Sequence, residues 1–172
     1  METRAGTVFY SQHFKGKVIT QSTELNLRAT AENNGRRVGS LEHGKTYTFA
    51  GTYHTKSGMT NYAQAWLCCD ADNDDRVDDG FASAQYIGWD SSLGSGNLFN
   101  AFVKIDSGYL NLRKTPSTSA TIIGKLNFDE EVLWLNYEYV RDNGGWNASK
   151  WAHVATPVGT GWVLSKYLDR HG

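Results

Sequence analysis

Leu110-Asn111-Leu112-Arg113 repeats Leu25-Asn26-Leu27-Arg28 at a distance of 85 positions. A four-residue match alone is weak, but the same offset carries Gly39 onto Gly124, Leu41 onto Leu126, Phe49 onto Trp134 and Trp66 onto Trp151. Upstream it carries Phe14 onto Phe99 and Val18 onto Val103. Beyond Trp66 the offset falls to 81, so that Gly80-Phe81 meets Gly161-Trp162 and Tyr86-Ile87 meets Tyr167-Leu168. A single register with one four-residue indel reads as two copies of one unit, and such repeats dominate any fold assignment. The expected division is a first domain over 1–88 with an N-terminal arm, a linker over 89–98 and a second domain over 99–172. The linker assignment rests on the Gly/Ser-rich run Ser91-Ser92-Leu93-Gly94-Ser95-Gly96.

Periodicity within each copy is that of strands. Leu110 and Leu112 alternate with Asn111 and Arg113, and Lys45-Thr46-Tyr47-Thr48-Phe49 alternates polar with aromatic residues. Turn chemistry punctuates these runs at Asn33-Asn34-Gly35, His43-Gly44 and Asn143-Gly144-Gly145. Eighteen glycines against two prolines, 13% aromatics and no amphipathic helical stretch favour an all-β chain. The expectation is two tandem small β-barrels.

The ordered motif of the second copy runs Leu110-Asn111-Leu112-Arg113-Lys114-Thr115-Pro116, then Ile123-Gly124-Lys125-Leu126, then Gly161-Trp162-Val163 and Tyr167-Leu168. It resembles the bacterial SH3 (SH3b) family. The first copy is a diverged version, with Ala31 in place of Pro116 and Phe81 in place of Trp162. The resemblance implies SH3-like barrels that bind bacterial cell walls, as in phage endolysins and autolysins. The implied partners are peptidoglycan or a wall glycopolymer, in association with a catalytic hydrolase domain. The implied location is extracellular, at the bacterial wall. Met1–Thr7 has no apolar h-region, so arrival by lysis or within a larger protein is expected. An assembly role, with the barrels gripping a partner protein in a surface or phage structure, is the alternative.

Aromatics that differ between copies and lie near Gly/Asn-rich loops are the candidate ligand contacts: Tyr53, Tyr62, Tyr137, Tyr139 and Trp146. Trp66, Trp151 and Trp162 read as packing residues. Arg28 and Arg113 suit either a carboxylate or phosphate of the wall, or a hydrogen bond to their own turn. Residues 70–90 carry seven aspartates and one arginine. Asp70, Asp72, Asp74 and Asp78 fall at EF-hand-like positions, although Asp75 replaces the loop glycine and Phe81 the bidentate glutamate. Three uses stay open for this stretch: a calcium site, a solvated acidic hairpin, or a face for basic residues elsewhere. Otherwise no cofactor is required.

No catalytic constellation emerges. Cys68-Cys69 has no framework or zinc spacing, and the five histidines form no paired motif. The lysines and arginines are scattered and the net charge is -1, which disfavours nucleic acid. No apolar run approaches the ~20 residues of a membrane helix. The expected chain is a non-enzymatic binding module.

Overall fold

The computed structural model describes residues 13–51, 65–96, 98–141 and 148–170; for 136–141 and 148–149 it describes the backbone alone. These residues form two all-β sheets. The first contains β1 (His13–Val18), β2 (Glu24–Arg28), β3 (Arg37–Glu42), β4 (Thr46–Gly51), β5 (Trp66–Asp70), β6 (Gly80–Ser83) and β7 (Ile87–Gly88). The second contains β8 (Phe99–Val103), β9 (Leu110–Arg113), β10 (Ile122–Leu126), β11 (Glu131–Arg141), β12 (Ala148–Thr156), β13 (Gly159–Leu164) and β14 (Leu168–Asp169). Their orders correspond strand for strand: β3-β2-β6-β5-β4-β1-β7 and β10-β9-β13-β12-β11-β8-β14. No helix among the described residues is long and apolar enough to cross a membrane.

The two sequence offsets reappear as pairing registers. Phe14 faces Phe49 as Phe99 faces Trp134, Leu25 faces Leu41 as Leu110 faces Leu126, and Val18 faces Ile87 as Val103 faces Leu168. The all-β expectation holds, but closure into barrels does not. Among the described residues no ladder joins β3 to β7 or β10 to β14. Each final strand is a two-residue stub behind a 3-10 turn, Ala84–Tyr86 or Ser165–Tyr167, too short to pair beyond its one neighbour.

Each sheet curls over an apolar interior. In β1 the pattern is strict: Phe14, Gly16 and Val18 point inward and His13, Lys15 and Lys17 outward. Leu27, Leu41, Phe49, Leu67 and Ile87 fill the first interior; Leu112, Leu126, Val132, Val154 and Val163 fill the second. Fully burying one such side chain contributes about 1.5–3 kcal/mol. β5 departs from alternation, with all five residues buried. Its second face lies under a satellite cluster of Ala31, Ala50, Trp66, Cys68, Val77 and Phe81. Cys68 and Cys69, neighbours that simple strand alternation would aim at opposite faces, are consequently both sealed and both free thiols.

The repeated glycine of β6 and β13, Gly80 and Gly161, has a packing reason. A Cβ at Gly80 would lie 2.9 Å from the Arg28 carbonyl oxygen, and at Gly161 2.5 Å from that of Arg113. Only glycine lets this strand cross the end of the Leu-Asn-Leu-Arg strand so closely.

The two sheets also dock on each other. The β12–β13 turn reaches the end of the first sheet, where Trp89 donates its amide to Thr156 O at 2.8 Å and Thr160 Oγ1 donates to Ile87 O at 2.7 Å. Leu133, Leu135 and Ala155 join the first sheet's apolar cluster. Between the sheets, Trp89 is buried and its indole donates to Gly94 O at 2.8 Å, while Asp90 caps the short turn Ser91–Leu93. The Gly/Ser-rich stretch is thus organised around a buried tryptophan.

Candidate functional site

Strand β9 delivers the Leu-Asn-Leu-Arg motif to the edge of a groove of about 360 Å³. Leu110 and Leu112 point into the core, which turns Asn111 and Arg113 toward the groove. Trp151, from β12, lines it and is 1% exposed. Tyr167 from the last 3-10 turn and Leu164 from β13 add walls, and the loop before β9 supplies Asp106, Ser107 and Tyr109. Tyr109 is 61% exposed and stands at the rim, with Lys125 Nζ 5.5 Å from its ring centroid. An aromatic wall bordered by one guanidinium, one carboxylate and hydroxyls suits a polar ligand with flat apolar faces, such as a peptide or a sugar. The groove lining holds no cysteine or histidine.

Arg28 and Arg113 do the same thing in both sheets. Arg28 Nη1 donates to Gly35 O at 2.8 Å, and Arg113 Nη1 donates to Ala120 O at 2.9 Å. Each guanidinium thereby ties down the turn that follows its own strand. Arg113 also lines the groove.

The aromatic candidates fare differently. Tyr53, Tyr62 and Trp146 lie outside the described residues. Tyr137 and Tyr139 are on β11, opposite Ala152 and Lys150, and their side chains are outside the described set. Tyr109 was missed by sequence reading. Its signal was available: the 85-residue offset places Glu24 opposite it, so it is an aromatic that differs between copies and sits beside a glycine, Gly108. Glu24 is instead paired with Arg37 on the surface at 2.8 Å.

The acidic hairpin gathers Asp70, Asp72, Asp74 and Asp79, one carboxylate oxygen from each lying within 4.8 Å of the others. Asp78 stands apart, paired with Arg76 Nη2 at 2.7 Å. Asn73 and Asp75 in the same loop adopt left-handed backbone, φ 60° and 68°, and Asp79 rather than Asp78 completes the cluster. The carboxylates also hold the loop itself. Asp70 accepts from the amides of Asp74 and Asp75, and Asp79 Oδ2 from those of Ala71 and Asp72. Asp72, although on the surface, has its carboxyl pushed up to about 6, by desolvation and by the charges and hydrogen bonds of Asp79 and Asp74. A cation would relieve that repulsion; protonation relieves it equally.

Cys68, Cys69 and His153 are sealed. Burial pushes the Cys68 thiol well above its ordinary range, and burial with the Asp79 and Asp70 charges does the same to Cys69. His153 is 1% exposed, and burial pushes its pKa down to about 3.

The family model of the bacterial SH3 domain matches residues 108–169, the span that carries most of the groove. Among solved structures the chain is similar to NlpC2 from Trichomonas vaginalis, at 14% identity and a TM-score of 0.33 over 94% of this chain. It is also similar to NlpC1 from the same organism, at 11% identity and a TM-score of 0.33 over 97% of this chain. The chain spans about half the length of these structures, covering 49% of each. No curated protein matches the sequence.

Proposed function

We propose that this chain is a non-catalytic module of two tandem SH3b-like domains that binds bacterial peptidoglycan and holds a peptidoglycan hydrolase, such as a phage endolysin, at the wall. The observation that carries this reading is the coincidence of the bacterial SH3 match over 108–169 with the groove lined by Tyr109, Trp151, Tyr167 and Arg113. The first domain enters through its identical strand order and the repeated pairing of its core residues, such as Leu25 with Leu41 and Leu110 with Leu126. Its groove counterpart carries Glu24 in place of Tyr109, so wall contact is assigned chiefly to the second domain. The sealed thiols and the sealed imidazole favour binding without catalysis. The reading requires no cofactor and places the chain outside the cell, on the wall.

The test is labelling of purified sacculi by a fluorescent fusion of this chain, before and after removal of teichoic acid. Labelling that survives the removal and falls with Tyr109→Ser is expected. Absence of labelling on sacculi from several genera overturns the wall reading, and turbidity loss abolished by Cys68→Ser would overturn its non-catalytic part.

A further inference from the structure

Among the described residues, the first sheet closes an end whose counterpart in the second sheet stands open. At this end each sheet carries a cross-strand aromatic pair, Phe14–Phe49 in one and Phe99–Trp134 in the other. Phe14 and Phe49 are 3% and 0% exposed, whereas Phe99 is 59% exposed and Trp134 is half-buried. The cover makes the difference. Trp89 follows β7 and lies buried in the cluster of Phe14 and Phe49, with Leu93 and Leu98 packed against it. The residue that follows β14 is Arg170. Its guanidinium carbon sits 4.6 Å from the Phe99 ring centroid and 5.2 Å from that of Trp134. The Trp134 indole N–H is buried without a hydrogen-bond partner, and among the described residues no carboxylate pairs with Arg170.

We propose that the Phe99–Trp134–Arg170 end is a docking site for an extended peptide segment of a partner protein, one that brings an apolar anchor to Phe99 and a carboxylate to Arg170. Two observations select this occupant. Trp89, Leu93 and Leu98 of this chain cover the equivalent end of the first sheet, and in sequence they accompany an acidic residue, Asp90. The replacement of Trp89 by Arg170 changes the charge that the cover must carry. A guanidinium held over two aromatic rings keeps its N–H edges available, and a carboxylate is the group that engages them in a bidentate way. This face is separate from the Tyr109 groove, so it stands or falls independently of wall binding.

The experiment titrates the full chain with the synthetic peptide Trp-Asp-Ser-Ser-Leu-Gly-Ser-Gly-Asn-Leu, a copy of residues 89–98, and follows amide and indole resonances. Saturable shifts confined to Phe99, Trp134 and Arg170 are expected. Phe99→Ser and Arg170→Glu should each weaken them at least tenfold, as should Asp→Lys in the peptide. Both positions are exposed, and unchanged melting of the variants confirms that they fold; sacculus labelling by both should equal that of the parent. The proposal is overturned by absence of saturable shifts, by shifts that map to Phe14 and Phe49 instead, or by shifts that persist in both variants. Concentration-dependent dimerisation abolished by Phe99→Ser would overturn it too, by making a second copy the occupant.

Discussion

The imidazole of His153 lies flat on the indole of Trp162, with ring centroids 4.5 Å apart and planes 4° from parallel. The two residues face each other across β12 and β13. Neither imidazole nitrogen has a hydrogen-bond partner. In the first sheet the corresponding cross-strand pair is Cys68 and Phe81, both fully buried. The position is apolar in both sheets, and the histidine serves there as a neutral aromatic plate.

That neutrality makes the fold acid-sensitive. The unfolded imidazole titrates near 6.5 and the folded one at about 3. The folded state binds fewer protons, so the stability is complete above pH 6.5 and is lost as pH falls toward 3. The loss approaches about 1.4 kcal/mol per pH unit within that window, or about 2 kcal/mol at pH 5. His153→Phe keeps the stacked ring and removes the titration. Urea midpoints at pH 7.5 and pH 5 should converge in the variant and diverge in the parent; equal pH slopes would show that the imidazole is not buried in its neutral form.

Gly159 holds the two sheets together through its lack of a side chain. Its φ is 138°, and a Cβ there would lie 2.6 Å from the Gln85 carbonyl oxygen. Gly159→Ala should cost about 2 kcal/mol or more, by strain and by prising the β12–β13 turn from the first sheet. Thr160→Val removes only the bond to Ile87 O and should cost about 1 kcal/mol. Calorimetry checks both: one transition for the parent and Thr160→Val, two for Gly159→Ala. A single unshifted transition for Gly159→Ala would refute the docking.

Tyr109 separates binding from folding because it is 61% exposed. Tyr109→Ser should lower sacculus affinity roughly tenfold, in the range of a rim aromatic that contacts ligand. Its melting temperature should stay within about 2 °C of the parent, as for other surface substitutions. Glu24→Ala, at the matching place in the first sheet, should leave affinity unchanged. Equal losses in the two variants would move wall contact onto both sheets.

The acidic hairpin predicts a gain on losing a charge. The Asp72 carboxyl is raised from 3.8 to about 6 in the fold. The folded state therefore binds more protons, and the penalty of ionising this group is complete above pH 6 and absent below about pH 4. Asp72→Asn should raise the melting temperature at pH 7.5 in chelator and leave it unchanged at pH 4. A calcium-dependent rise in the parent that Asp72→Asn abolishes would assign the cluster to a cation instead.

Much of this molecule could be read from spacing. The offsets 85 and 81 became registers because the repeated residues are those that face each other across ladders: Leu25 with Leu41, Leu110 with Leu126. Gly80 and Gly161 recur because a strand passes there too closely for a Cβ. What spacing could not show is cover. Phe14 and Phe99 occupy one sequence position, but one is sealed and the other is open, since burial depends on a segment from elsewhere in the fold. Cys68 and Cys69 illustrate the same limit, because alternation fails where both faces of β5 are packed. The converging carboxylate set includes Asp79 and not Asp78, which pairs with Arg76, a choice that EF-hand spacing could not show in a loop with two left-handed residues.

The shortened β12–β13 turn has a consequence for order along the chain. Its tip, Thr156–Gly159, reaches Gln85 and Trp89, and the matching segment of the first sheet is the longer acidic hairpin. Two folds of the same plan are therefore no longer interchangeable. A permuted chain with the second sheet first would bring a bulky anionic loop to a seat ending in Arg170 rather than Trp89, without the glycine that permits close approach. Each copy therefore has its own place in the order, unlike the interchangeable units of a modular repeat.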